Sequence, residues 1–258
     1  MNASTAARDS LPHSQGRITT NPMRPPRFQN PVFVALDTPD LSRALEIARA
    51  VKPHVGGLKV GLEFITALGP DAVGQIVEVG LPVFADTKFH DIPNTVKGAS
   101  RAIASLGVAM FNIHASGGLA MMHAARDAAA ESESRPKVLA VTVLTSLEDG
   151  DLEMTGQSWP AADQVLKLAT LSKVGGLDGV VCSAHEIAAV RAACGPDFLL
   201  VIPGIRPAGS DVADQRRVMG PREAMRAGAD ILVIGRPITG AKDPAAAAHA
   251  IAEELSVP

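Results

Sequence analysis

The densest chemistry in this 258-residue chain lies in one short stretch, Asp86-Thr87-Lys88-Phe89-His90-Asp91-Ile92-Pro93-Asn94-Thr95. It follows an apolar run, Pro82–Ala85, and opens a helical pattern. Asp86 and Lys88 stand two apart, so a strand continued through them turns both side chains to one face. A carboxylate beside an ammonium favours its charged form. The same two residues also read as an ordinary buried ion pair, and Asp91 as a helix N-cap. A third reading takes Asp86, His90 and Asp91 as oxygen and nitrogen ligands of a metal. Lys88, together with Lys59 on the preceding strand, opposes it by repelling a dication.

Further ionisable and small residues fall at comparable places. Asp37 follows the run Val32–Leu36, Lys59 lies in Gly57–Val60, and His114 follows Ala109–Ile113. Val138–Val143 leads to Thr145, Phe198–Ile202 to Pro203-Gly204-Ile205-Arg206, and Asp230–Ile234 to Gly235-Arg236. With Pro82–Ala85 and Asp178–Cys182 the runs number eight. They are continuously apolar rather than alternating, as expected of parallel strands buried on both faces. Helical spacing separates them. Leu41, Leu45, Ala48 and Val51 recur between Asp40 as a cap and Pro53 as a stop, and Asp243-Pro244 opens an Ala-rich helix. The reading is an α/β chain with a single-domain (β/α)8 (TIM) barrel over residues 31–258. An open doubly wound sheet uses the same units, but eight repeats without a second domain favour the barrel. Its catalytic groups belong at the C-terminal strand ends, where the polar residues above would form one rim. Arg206 and Gly235-Arg236 fall in the loops after strands 7 and 8, a common phosphate site of barrels. The stretch Arg206–Arg217 reads as a loop that could serve as a lid.

Composition narrows the function classes. Lys plus Arg total 24 and Asp plus Glu 27, a net charge of −3 with 3% aromatic residues, which excludes a broad nucleic-acid footprint. The longest unbroken apolar run is five residues, as at Val32–Leu36, against the ~18 that a membrane span needs. Two cysteines, Cys182 and Cys194, give no disulfide framework and suit a reduced cytoplasmic setting. Residues 1–30 carry Pro12, Pro22, Pro25 and Pro26 with Arg8, Arg17, Arg24 and Arg27 against one acid, Asp9, and read as a disordered N-terminal extension. A transit peptide is opposed by the prolines, and Met23 offers another start. His185-Glu186 lacks the second His of a zinc-protease helix and reads as a helix start. Gly235–Lys242 fails as a P-loop because Ala241 stands where its Lys belongs. His114 and Cys182 read as structural.

The stretch Asp86–Thr95 resembles the signature of the orotidine 5′-phosphate decarboxylase family. It is joined in order by Val34-Ala35-Leu36-Asp37, Gly57-Leu58-Lys59-Val60-Gly61, Thr142-Val143-Leu144-Thr145-Ser146, Pro203-Gly204-Ile205-Arg206-Pro207, Asp214-Gln215-Arg216-Arg217 and Ile234-Gly235-Arg236-Pro237. The resemblance covers about residues 31–255. It implies decarboxylation of orotidine 5′-monophosphate (OMP) to UMP and CO2, the last step of de novo pyrimidine (UMP) biosynthesis, without metal or cofactor, in a homodimer with shared active sites. It implies that Lys59, Asp86, Lys88 and Asp91 form an alternating array of charges, with Lys88 protonating C6 and Asp91 reaching into the partner's site. Asp37 and Lys59 would hold the ribose hydroxyls, and Ile92 and Thr95 would complete the neighbouring site. Thr145 would contact the pyrimidine, Gln215 would bridge base and phosphate, and Arg206, Gly235 and Arg236 would bind the phosphate region. Two rivals remain. A Mg-dependent keto-sugar-phosphate decarboxylase or synthase of the same superfamily is disfavoured by Ile92–Thr95 and Asp214–Arg217. A non-catalytic nucleotide-binding barrel is disfavoured by the complete Lys/Asp array.

Overall fold

The computed structural model describes residues 30–207 and 219–256. Within them the chain forms the expected closed barrel of eight parallel strands in sequence order. The strands are β1 Val32–Ala35, β2 Gly57–Val60, β3 Val83–Phe89, β4 Met110–His114, β5 Lys137–Val141, β6 Gly179–Val181, β7 Leu199–Pro203 and β8 Ile231–Ile234. Helices α1 Leu41–Val51, α2 Leu62–Val77, α3 Pro93–Ala104 and α4 Gly118–Ala130 follow the first four strands. Then come α5 Asp149–Met154, α6 Ala161–Val174, α7 Ile187–Cys194, α8 Pro221–Ala227, α9 Arg236–Thr239 and α10 Pro244–Ser256. The proposed N-terminal extension lies, but for Asn30, outside the described residues, as do Gln215 and most of the stretch read as a lid.

Local chemistry explains the element ends. Asp40 caps α1 by accepting from the Arg43 N–H at 3.1 Å, and Asp243 accepts from the Ala246 N–H at 3.0 Å at the start of α10. His185-Glu186 does open a helical segment: the Glu186 carboxylate accepts the Ser183 N–H at 2.7 Å, a capping box ahead of α7. The main departure is β3, which runs on to Phe89 instead of ending at Ala85. Its ladder to β4 shifts register between Ala85 and Phe89, and Lys88 takes a left-handed φ of 50° there. A bulge of this kind re-aims a side chain, and a polar run with broken alternation hides it from sequence periodicity. The short helix α5, between β5 and α6, is a second feature beyond the strand–helix repeat.

The core has two layers. Between barrel and helices lie Leu58, Phe64, Ile76, Phe111, Met121 and Met122, all fully buried. Inside the barrel, Phe33, Phe84, Met110, Leu139, Leu199 and Ile231 pack together. A fully buried side chain of this size contributes about 1.5–3 kcal/mol. At the base, the Arg191 guanidinium donates to the carbonyls of Gly195, Phe198 and Gly228 and pairs with Asp230. Asp230 also accepts the Leu200 N–H at 2.9 Å. That network ties β7 to β8 at the end opposite the polar rim. No helix among the described residues is long and apolar enough to cross a membrane.

Candidate active site

Side chains alternate along a strand, so residues two apart share a face. The inward series therefore runs Phe33, Ala35 on β1, Gly57, Lys59 on β2, Phe84, Asp86 on β3 and Met110, Asn112 on β4. In β2, β3 and β4 the apolar or small inward residue is followed by a polar one toward the C-terminal end, and in β1 Asp37 comes next after the strand, whereas β5–β8 stay apolar inside. The fold thus places charge on the rim by the same two-residue step that fills the barrel below it.

Two ion pairs stand there. The Lys59 ammonium meets Asp37 Oδ1 at 2.6 Å, with Lys59 buried and Asp37 half-exposed. The Lys88 ammonium meets Asp86 Oδ1 at 2.6 Å, both side chains mostly covered. Burying an ammonium is costly unless it is paired, and each lysine has its carboxylate. Asp86 Oδ1 also accepts from Asn112 Nδ2 at 2.7 Å, while Asn112 Oδ1 accepts the Lys88 N–H at 2.7 Å. Beside the second pair is a cavity of about 150 Å³ lined by Asp86, Lys88, Thr145, Leu144, Pro203 and the floor residues Phe84, Val141, Val181 and Val233. Apolar walls with a carboxylate and an ammonium at one side suit a planar ring bearing a charged substituent.

The remaining sequence-predicted residues are distributed around this centre. Arg206 is buried just after β7, its N–H bonded to the Met219 carbonyl at 3.1 Å. Gly235 follows β8 and is the N-cap of α9, whose first residue, Arg236, is exposed. Asp91, Ile92 and Thr95 are all exposed and lie outside the cavity wall of their own chain. Asp91 is not the N-cap of α3: that position is Ile92, with Pro93 in the first turn, and the Asp91 carboxylate instead accepts the Ile92 N–H at 2.6 Å. No three His, Cys, Asp or Glu side chains among the described residues, Asp86, His90 and Asp91 included, converge as a metal site.

His114 packs its ring 5.5 Å from that of His90. Burial, the neighbouring His90 and the Lys88 charge hold its pKa below the ordinary 6.5. Cys182 lines the cavity, and burial pushes its thiol far up, so it remains a neutral core group. Sequence reasoning missed two residues. Asn112 was hidden in an apolar run, although its parity with Met110 points it inward. Gly61 was read only as part of a motif, whereas a Cβ there would meet Asp37 Oδ1 at 2.9 Å and Lys59 Nζ at 3.0 Å.

Comparison with known proteins places these features in context. Residues 30–251 match the model of the orotidine 5′-phosphate decarboxylase / HUMPS family. The orotidine 5′-phosphate decarboxylase of Rhodospirillum rubrum is 55% identical over 234 residues, 88% of this chain and 94% of that protein. That of Paramagnetospirillum magneticum is 52% identical over 233 residues, 88% of this chain and 99% of that protein. The crystal structure of orotidine 5′-phosphate decarboxylase from Lactobacillus acidophilus superposes with a TM-score of 0.79 at 39% identity, over 89% of this chain and all of the other.

Proposed function

Since the chain belongs to the orotidine 5′-phosphate decarboxylase / HUMPS family, we propose that it decarboxylates OMP to UMP and CO2, the last step of de novo pyrimidine biosynthesis. The observation that carries this reading is the Lys88–Asp86 pair beside an apolar cavity on the rim of the barrel. Breaking the bond from C6 to the carboxylate leaves an electron pair on C6, in the plane of the ring, where no π-system absorbs it. The Lys88 ammonium stabilises that charge and transfers its proton to C6. The neutral amine then regains a proton from solvent. Asp86 faces the substrate carboxylate and pairs with the Lys88 ammonium before reaction. Asp37 and Lys59 hold the ribose, Thr145 contacts the base, Gln215 bridges base and phosphate, and Arg206, Gly235 and Arg236 take the phosphate. The reaction needs no metal or organic cofactor, because Lys88 supplies both electrostatic stabilisation and proton.

The outward position of Asp91, Ile92 and Thr95 supports a homodimer in which they enter the partner's site. Ile92 is 67% exposed, and Leu62 and Leu119, after β2 and β4, are also exposed, leaving apolar surface on adjacent units of the rim for a second copy. Two free, buried cysteines support a reducing, cytoplasmic setting.

Loss of OMP absorbance, followed with and without EDTA, tests the activity. Turnover that survives exhaustive chelation is expected, whereas abolition by chelation and restoration by Mg2+ would favour the sugar-phosphate chemistry. Co-expressed Lys88→Ala and Asp91→Ala subunits test the shared site. Each is inactive alone, but a mixed dimer has one site with both residues. Random pairing therefore restores about a quarter of normal activity. Verified mixed dimers without activity would return Asp91 to its own chain.

A further inference from the structure

Asn112 has no part in the chemistry above, yet both ends of its side chain are committed to the residues that perform it. It is fully buried on β4. Its Nδ2 donates to Asp86 Oδ1 at 2.7 Å, and its Oδ1 accepts the Lys88 N–H at 2.7 Å. Its own carbonyl accepts the Thr87 hydroxyl at 2.7 Å. These contacts sit where the β3–β4 ladder loses register and Lys88 adopts its left-handed φ of 50°. A bulge strips ladder hydrogen bonds from the residues it displaces, and a side-chain amide is suited to replace one, because it offers an acceptor and a donor on one rigid plane. The second donor on Asp86 Oδ1, beside Lys88 Nζ at 2.6 Å, fixes the plane of that carboxylate. An inward position that Met110 fills with an apolar side chain one step below thus carries an amide fully bonded to one functional pair.

We propose that Asn112 is a positioning residue for decarboxylation, holding the backbone of Lys88 in the bulge with one end and orienting the Asp86 carboxylate with the other. The inference rests on the roles given to Lys88 and Asp86 above. Its effect falls on the chemical step and not on nucleotide binding, since the proposed phosphate ligands lie across the rim after β7 and β8. A misplacement of about 1 Å in a reacting group costs on the order of a hundredfold in rate.

The test compares wild type, Asn112→Ala and Asn112→Asp for OMP turnover between pH 5 and 9, with UMP affinity by calorimetry and thermal melting as controls for folding. Asn112→Ala is expected to lose kcat on the order of a hundredfold, with KM and UMP affinity changed by no more than about threefold. Asn112→Asp nearly preserves shape and keeps the acceptor for the Lys88 N–H. When ionised, the introduced carboxyl repels Asp86 and cannot donate to it. When protonated, it donates as the amide does. The ratio of Asn112→Asp to wild-type kcat is therefore expected to rise as pH falls. The other groups facing the pair, Lys88, His114 and His90, are common to all three proteins and cancel in that ratio. A ratio independent of pH, or a loss confined to KM, would overturn the proposal even if Asn112→Ala were too unstable to assay. Failure of the wild-type chain to decarboxylate OMP would instead strike the reading of the reaction itself.

Discussion

Replacing Gly61 by alanine should damage the site while sparing the fold. Gly61 precedes α2 with φ −102° and ψ −172°, an extended conformation open to any residue, so alanine brings no backbone strain. Its Cβ would lie 2.9 Å from Asp37 Oδ1 and 3.0 Å from Lys59 Nζ. Restoring ordinary contact pushes each tip back by about half an ångström, which opens their 2.6 Å contact toward about 3.6 Å. At an effective dielectric near 20, the Coulomb attraction falls from about 6.4 to about 4.6 kcal/mol. Asp37 is half-exposed, and water screens part of that difference, leaving a cost of about 1 kcal/mol or a little more. If Asp37 and Lys59 orient the substrate, kcat/KM for OMP should drop about five- to tenfold. Because only the ends of flexible side chains move, folding stability should fall by no more than that cost of about 1 kcal/mol, or about 2–4 °C in Tm. Progress curves of OMP absorbance and a thermal melt measure both quantities. A variant with kcat/KM within twofold of wild type would refute the role given to the Asp37–Lys59 pair, and a melt lowered by more than about 5 °C would refute the claim that the strain stays local.

Lys88→Ala should abolish decarboxylation yet bind UMP with nearly wild-type affinity, which calorimetry reads directly; retained turnover would remove Lys88 as proton donor. Asp230→Ala leaves the partly buried Arg191 charge without its carboxylate and the Leu200 N–H without its acceptor and should lower stability by about 2–4 kcal/mol in denaturant titration, with kcat per folded molecule unchanged because the pair lies at the base. His114 holds its neutral form below the ordinary 6.5, so the unfolded chain takes up the proton first as pH falls. Its contribution to stability is complete above pH 6.5 and is lost progressively below it. The fall in Tm between pH 7.5 and 5.5 should therefore be smaller in His114→Gln than in wild type, and an equal fall would show that His114 titrates normally.

The barrel was legible because burial on both faces forces each strand into a continuous apolar run, and because caps such as Asp40 and Asp243 act through bonds to their own local backbone. The chemistry was legible where charge interrupts those runs, at Lys59, Asp86 and Lys88. What escaped depended on contacts across strands. Where β3 extends to Phe89, the Lys88 N–H bonds to the Asn112 side chain of β4, and nothing within Asp86–Phe89 encodes that partner. Asp91 looked like a helix cap, but Pro93 fits the first turn of α3 and moves the cap position to Ile92. Gly61 offers no side chain to notice; its importance is the space it leaves for two others.

The geometry also bears on where the barrier reduction arises. Two like charges about 4 Å apart at an effective dielectric near 20 repel by about 4 kcal/mol. That bounds what Asp86 can contribute by destabilising the substrate carboxylate, whereas enzymes commonly lower barriers by about 8–23 kcal/mol. Repulsion is therefore the smaller share whenever the total lies toward the upper end. The larger share must grow as the carbanion forms, and on the proposed roles the Lys88 ammonium would supply it. If Lys88 is the proton donor, its contact with Asp86 at 2.6 Å has to loosen for the proton to reach C6. Departure of CO2 removes the negative charge facing Asp86 and leaves a new one at C6. Lys88 then has less need to lie against Asp86 and more attraction toward the ring. On the proposed roles the two halves of the pair therefore act in sequence, before and after the bond breaks. Asp86 would repel the substrate carboxylate before the bond breaks, and Lys88 would stabilise and protonate the electron pair left on C6.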